Sequence, residues 1–392
     1  MITVKEAKQL ISKHTVPLSA VRVPLSRAYG HLLASEVYAH YDIPSFRQSS
    51  MDGYAIRFAD HQQVLSLAGE MAAGTSKPLT IQPGEACRIF TGAPLPDGAD
   101  TVVMQEKVAV NEGYITVQDP ALHLGANVRA QGAEIENGAL AMTAGSYLSP
   151  AAVGFLAGIG TPEVGVYPMP SVSIIVTGKE LQQPGLPLGF GQVYESNSYS
   201  LSAALRHEGI HEIRIHEADD DLGILTDVLQ TALLESSVVL LTGGVSVGDY
   251  DFVIEASRAC DVAQVFHKVK QKPGKPLFFG TRGRKLVFGL PGNPSSVLSC
   301  YYNYVLPALK RLSHLPAQTK EITAVLTSSY QKPVGLTHFL KGSYRDGKAT
   351  PLSAQESFRL SSFAEANCLI CLEENQEMFN AGDTVTILLL AI

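Results

Sequence analysis

TGGVSVGDYD (242–251), KVKQKPGKP (268–276) and GLPGNP (289–294) together decide how this chain is read. Each piece ends or follows an apolar run with the texture of a strand. They bring a glycine-rich loop, two aspartates, four lysines and a rigid Pro-Gly-Asn-Pro turn toward one end of one sheet. A core alone has no use for that set. It suits a polyanionic ligand held together with a cation.

The surrounding sequence gives this sheet its form. SVSIIVTG (171–178) is an apolar run ending in Thr-Gly, and the helix-like SYSLSAALRHEG follows, with Gly209 placed to close it. The strand IHEIRIH comes next, then Asp219–Asp221 at a helix start, then LGILTDVLQTALL. After these stand SVVLLTGG, DFVIEASRA, VAQVFHKV, KLVFGLPG and the helix PSSVLSCYYNYVLPALKRL. Alternation of this kind predicts a three-layer α/β domain, a mostly parallel sheet with helices on both faces. Ligands on such sheets bind beyond the carboxyl ends of the strands.

At 392 residues the chain is too long for one ordinary core, and roughly two to four domains are expected. Residues 3–13 read as a helix capped by Thr3 and Glu6, and a second short helix is expected near Ser26. Short runs over 53–137, among them VLSLAG, CRIFTG, DTVVMQ and YITVQ, predict a β-rich domain. Residues 132–160 lead back toward the N-terminal helices. The expected division is a discontinuous helical linker domain (1–40 and 138–167), a β-rich domain (41–137), the α/β domain (168–312) and a C-terminal β-barrel-like domain (313–392).

Apolar content of 45% and charged content of 17% describe a globular protein. No stretch reaches the ~18 consecutive apolar residues of a membrane span, and MITVKEAKQLISKH lacks the apolar centre of a secretory signal. A net charge of −7 argues against a general nucleic-acid binder, so an anion site must be local. Five scattered cysteines suit a reducing cytosol, and a cytoplasmic location is expected. Cys368 and Cys371 form a CxxC, but in a strand positions three apart face opposite sides, so they are read as small apolar fillers.

In the 242–251 loop, Gly243 and Gly244 let the backbone approach a ligand, and amides at a helix start attract anions. Ser246 belongs to the same loop. Asp249 and Asp251 follow, and carboxylates beside a phosphate site usually hold Mg2+ or a similar cation. The alternative is a tight turn with a capping aspartate. Lys268, Lys270 and Lys272 would share one strand face, with Lys275 fixed by the turn; ammonium groups suit oxyanions, although a solvated basic edge has the same composition. In GLPGNP, Pro291 fixes φ, Gly292 permits an unusual one, Asn293 belongs to the same turn and Pro294 suits the first turn of the helix that follows. Glu180 follows a strand in VTGKEL. Asp52 in SSMDGYA, Thr91 in IFTGAPLPDGAD and Arg129 in NVRAQG are further candidates, each also readable as a cap, turn or ion-pair residue.

SMDGYA (50–55), IFTGAPLPDGADTVV (89–103), VRAQGAEI (128–135), TGKEL (177–181), ESNSYSL (195–201), TGGVSVGDYD, KPGKP (272–276) and GLPGNP, in this order, resemble the molybdopterin molybdenumtransferase family, the MoeA and gephyrin E-domain type. The resemblance covers nearly the whole chain. It implies an elongated homodimer of four-domain subunits whose third domain has the molybdopterin-binding fold, with the active site where that domain meets the partner's second domain. It implies a transferase that takes adenylylated molybdopterin and molybdate, inserts the metal and releases AMP with the help of Mg2+ or another divalent cation. The molybdopterin adenylyltransferase and apo-molybdoenzymes are admitted as further partners; nucleic acid and membrane are not.

Residue by residue, the resemblance implies activity roles for Asp52, Thr91, Glu180, Asp251, Lys268, Lys272, Lys275, Pro291 and Pro294. It adds Ser361 or Ser362 in LSSFAEAN and an acid at Asp219 or Asp220. The family usually reads TGDEL where this chain has Lys179, and GEDI where it has Ala133–Glu134. Two alternatives are a non-catalytic scaffold of the same family and the adenylyltransferase step. The lysines and most acids are present, which favours the enzyme over the first, and the added N- and C-terminal domains weigh against the second.

Overall fold

A computed structural model describes residues 1–244, 252–316 and 321–390. The chain divides into two units: one holds Met1–Val21, Gly30–Leu32 and Tyr167–Ile392, the other Arg22–Tyr29 and Leu33–Val166.

The first unit is built on a six-stranded sheet. Its order is Ile213–Ala218, Val172–Thr177, Val238–Thr242, Lys285–Leu290, Phe278–Arg282, Ala263–His267. The first four strands run parallel, and Phe278–Arg282 pairs antiparallel with both its neighbours. Side chains alternate across a strand, and both faces are covered. Val172, Ile174 and Val176 share a core with Leu201 and Leu205 of helix Asn197–His207 and with Val297 to Leu312. Ile175, Val239 and Leu241 face Leu225, Leu229 and Leu233 of helix Leu222–Glu235 and Val253 of helix Val253–Ala259. That double burial explains why Val172–Thr177 is buried at every position.

Helix Val4–His14 carries the expected capping box between Thr3 and Glu6, and buries Ala7 and Ile11 in the same core as Val172. The expected long helix after Pro294 is two α-helical pieces, Pro294–Cys300 and Leu306–Leu312, joined by a π turn over Tyr301–Val305. Pro307 has no N–H to give the Asn303 carbonyl, so the regular ladder is interrupted there.

In the C-terminal region five strands close into a barrel: Glu321–Leu326, Thr337–Arg345, Lys348–Pro351, Cys368–Leu372 and Thr384–Leu389. Closure comes from the pairing of Thr337–Arg345 with Cys368–Leu372. Gln271–Lys272 adds to this barrel's edge, parallel to Thr337 and His338. Cys368 is buried and all five cysteines are free. Burial pushes the Cys368 and Cys371 thiols up to about 12, so both are inert fillers.

The second unit contains a six-stranded sheet in the order Thr101–Met104, Gly53–Ile56, Glu85–Ile89, Val64–Met71, Tyr114–Val117, Val108–Asn111. Helix Pro150–Gly158 shares a separate core with Leu25, Ala28, Leu33 and Leu148. The second short helix expected near Ser26 is a single 3-10 turn, Leu25–Arg27, and Leu32–Leu33 is a strand. Gly30, at φ +84°, ends the turn in a conformation a helix cannot continue through. No helix among the described residues is long and apolar enough to cross a membrane.

Candidate functional site

Three neighbouring parallel strands, Val172–Thr177, Val238–Thr242 and Lys285–Leu290, deliver their carboxyl ends to one cavity of about 730 Å³. The loops there are Thr177–Gly178, Thr242–Gly244 and Pro291–Asn293, and Pro294 opens the following helix as its first residue. Gly243 sits at φ +90°, and a Cβ on it would lie 2.5 Å from the Thr177 carbonyl oxygen. Only glycine lets these two strand ends meet. Across the cavity, the Asn197 side-chain amide donates to the Gly292 carbonyl at 2.9 Å. Asn197 Oδ1 and Thr242 Oγ1 are buried without a hydrogen-bond partner among the described residues. Buried polar atoms are rarely left so, and both belong to residues that line the cavity.

Among the described residues two carboxylates line it as well, Glu180 and Asp220. Asp220 accepts the Thr177 hydroxyl at 3.2 Å and the Lys179 backbone N–H at 3.4 Å. Of the two aspartates left open by the sequence, Asp220 is therefore the one at the cavity; Asp219 is exposed and Asp221 caps helix Leu222–Glu235 through Ile224. The Glu180 carboxylate folds back over Gly178, where a Cβ would stand 2.8 and 2.9 Å from its oxygens. Ser246, Asp249 and Asp251 lie outside the described residues. Among the described residues no group of three or more His, Cys, Asp or Glu is gathered as a metal site. Two oxygen donors beside glycine amides still fit a hard cation that takes its remaining ligands from phosphates and water.

The lysine segment keeps its alternation although it is not one strand. Val269 and Gln271 are buried, while Lys268 and Lys270 are half-buried and Lys272 is exposed. Strand Ala263–His267 stops because Lys268 adopts φ +79°. Lys272 and Lys275 are exposed, and neither makes an ion pair or side-chain hydrogen bond among the described residues. Pro276, beside Lys275, lines the cavity. Asn293 Nδ2 donates to the Ser357 hydroxyl at 2.9 Å, and neighbouring Phe358 reaches the lining. Ser362 is buried with its hydroxyl on the Ala354 carbonyl, and Ser361 is exposed; neither lines the cavity.

Asp52, Thr91 and Arg129 belong to the other unit. Thr91 donates its amide and hydroxyl to Asp52 Oδ1. Arg129 donates to Gln48 Oε1 at 2.6 Å, across the pairing of Val128–Arg129 with Gln48–Ser49. Sequence reasoning missed Thr177, Tyr194, Asn197 and Phe358 as cavity residues. Asn197, just before a helical run, carries a readable signal; an exposed aromatic such as Phe358 carries none.

The comparisons with known proteins agree along the whole chain. Residues 2–160 match the model of the MoeA N-terminal region (domain I and II), residues 173–311 a probable molybdopterin binding domain, and residues 323–390 the MoeA C-terminal region (domain IV). The molybdopterin molybdenumtransferase of Haemophilus influenzae is 33% identical over 407 residues, covering 99% of this chain and 98% of its own. That of Staphylococcus aureus is 33% identical over 401 residues, covering 99% and 95%. Two crystal structures of the molybdopterin biosynthesis MoeA protein of Pyrococcus horikoshii overlay with TM-scores of 0.79 and 0.73. Their identities are 28% and 29%, with 99% and 100% of each chain covered. With matching region models from end to end and relatives a third identical over nearly their full length, this chain belongs to the molybdopterin molybdenumtransferase family of transferases.

Proposed function

We propose that this chain inserts molybdate into adenylylated molybdopterin and releases AMP, the metal-inserting step of molybdenum cofactor biosynthesis. The observation that carries this reading is the convergence of three parallel strand ends on one cavity lined by Gly243, Gly244, Pro291, Asn293 and Pro294, with Glu180 and Asp220 at its wall. Glycine-loop amides and Lys268, Lys272 and Lys275 would take the anionic pterin phosphate and adenylyl groups. Glu180 and Asp220 would hold Mg2+ or another divalent cation, which supplies charge neutralisation between phosphates and carboxylates. Asp52 and Thr91 act in a second copy's site, so the working form is a homodimer in the cytoplasm. In this reading the chain keeps four domains: a discontinuous helical linker domain, a β-rich domain, the α/β domain and a C-terminal β-barrel-like domain.

Purified protein is incubated with adenylylated molybdopterin, molybdate and Mg2+, and AMP is followed by chromatography. The expected result is AMP release that requires molybdate, together with a product that activates an apo-molybdoenzyme. AMP release no faster than without protein would sink the reading. Consumption of ATP with free molybdopterin would place the chain at the adenylyltransferase step instead.

A further inference from the structure

The turn that carries Lys272 and Lys275 is held from below by a buried polar chain. Gln271 is 1% exposed, although an apolar side chain would fill the same place without losing water contacts. Its side-chain amide donates to the Gly274 carbonyl at 2.9 Å and approaches the Cys300 sulfur at 3.5 Å. Its carbonyl oxygen accepts the hydroxyl of Tyr304, also 1% exposed and part of the π turn Tyr301–Val305. Gly274 packs so closely on this base that there is no room for a side chain: a Cβ there would lie 2.6 Å from Cys300 Sγ and 2.9 Å from Gln271 Nε2. Above this base the backbone closes through Val269 N–H to the Lys275 carbonyl at 3.0 Å. The Lys272 and Lys275 side chains, by contrast, have no protein partner among the described residues.

A fully bonded buried network specifies one backbone conformation more sharply than apolar packing does. Here that conformation is the one that sets the spacing of two free ammonium groups. We propose that Gln271 and Tyr304 are positioning residues: they hold the Lys272–Lys275 turn in the form that meets the anionic substrate, and touch no substrate themselves. This rests on the reading of Lys272 and Lys275 as anion-binding groups.

The test is a thermodynamic cycle on the full chain. Tyr304→Phe and Gln271→Met are each made alone and in a Lys272→Ala/Lys275→Ala background. The dissociation constant for adenylylated molybdopterin and the Tm are read for all. The lysine double variant is expected to bind about 100-fold more weakly. Each network variant alone is expected to lose about fivefold, and to lose nothing further once the lysines are gone, while its Tm drop is the same in both backgrounds. An equal loss of affinity in both backgrounds, or none in the native one, overturns the positioning role. Wild-type affinity in the lysine double variant overturns the anion-binding reading itself, and the inference with it. Should Gln271→Met not fold, Tyr304→Phe, which removes a single oxygen, decides alone.

Discussion

Thr91 closes on Asp52 twice, its backbone amide and its hydroxyl each donating to the same carboxylate oxygen, Oδ1, at 2.8 Å. Bonds of this kind favour the ionised acid, and they hold the Asp52 carboxyl below its usual range, the amide contributing most and the hydroxyl next. Thr91 leaves Oδ2 unused. The pair is thus a fixed, ionised carboxylate with one oxygen committed.

Thr91→Val removes the hydroxyl and keeps the amide. The Asp52 carboxyl should then titrate at higher pH than in the native protein. Because the folded value is depressed, its stabilising effect is present above the unfolded value of ~3.9 and lost as pH falls through the folded one. Asp52 is exposed, so neutral-pH stability should hardly change. If Asp52 serves the reaction, kcat/KM should fall by roughly ten- to a hundredfold. A carboxyl-carbon NMR titration that gives the same Asp52 midpoint in both proteins would show that the hydroxyl bond is inconsequential.

Two glycines at the cavity should respond oppositely to the same change. At Gly243 an added Cβ meets the Thr177 carbonyl at 2.5 Å and φ is +90°, so Gly243→Ala must move a strand end. A loss on the order of 2–4 kcal/mol is expected. At Gly292 the nearest heavy atom to a new Cβ is 3.8 Å away, an ordinary contact, and the residue lines the cavity. Gly292→Ala should fold normally and lose turnover by crowding the ligand. Urea midpoints decide: equal midpoints for the two variants would mean the Gly243 approach relaxes freely.

The sheet was legible because its strands are buried on both faces and therefore read as continuous apolar runs, SVSIIVTG and SVVLLTGG, each closed by Thr-Gly. The capping box of Thr3 and Glu6 was equally plain. The turn near Ser26 was not, because Ala28, Leu32 and Leu33 match helical spacing as well as they match a 3-10 turn and a strand; Gly30 settled it through its backbone. The lysine spacing was right while the strand was not. Period-two alternation survives in Lys268, Lys270 and Lys272 across a residue at φ +79°. Which of Asp219 and Asp220 enters the cavity is decided by long-range packing that local pattern does not encode, whereas Asn197 stands where a helical run begins. Gln271 carries no local signal that sets it apart in a basic stretch, because its partner Tyr304 lies 33 positions on.

His338 lies opposite Lys272 in the parallel pairing at the barrel's edge and is 3% exposed. Burial first, then the Lys272 and Lys332 charges, push its imidazole down to about 4. The unfolded value is near 6.5, so both states are neutral above that pH and this site does not oppose folding. Between about 6.5 and 4 the unfolded chain takes up a proton that the folded chain refuses, and stability falls as pH drops. At 1.36 kcal/mol per unit the loss should reach about 2 kcal/mol by pH 5. His338→Gln should be less stable overall but should lose that part of the pH dependence. Denaturant midpoints at pH 7.5 and 5.0 test this, and equal slopes in both proteins would remove His338 as the titrating group.

Asp220 offers the cleanest test of the proposed cation. Its carboxylate takes the Thr177 hydroxyl and the Lys179 N–H, and its residue lines the cavity beside Glu180. Asp220→Asn keeps the shape, and with its amide oxygen still accepting the Thr177 hydroxyl it gives up only the long 3.4 Å contact from the Lys179 N–H, so the strand end should stay in place. What is lost is the charge, and a neutral amide is a poorer ligand for a hard divalent ion. A charge-assisted contact of ~1.5–3 kcal/mol corresponds to about tenfold or more in the Mg2+ concentration needed for half-maximal AMP release. Asp219→Asn, one residue away and exposed, carries the same change in net charge without reaching the cavity, and should leave the Mg2+ curve where it was. If both variants shift the curve equally, the effect is a general field and not ligation. If Asp220→Asn matches wild type in midpoint and plateau, Asp220 serves only to tie Thr177 to the following loop.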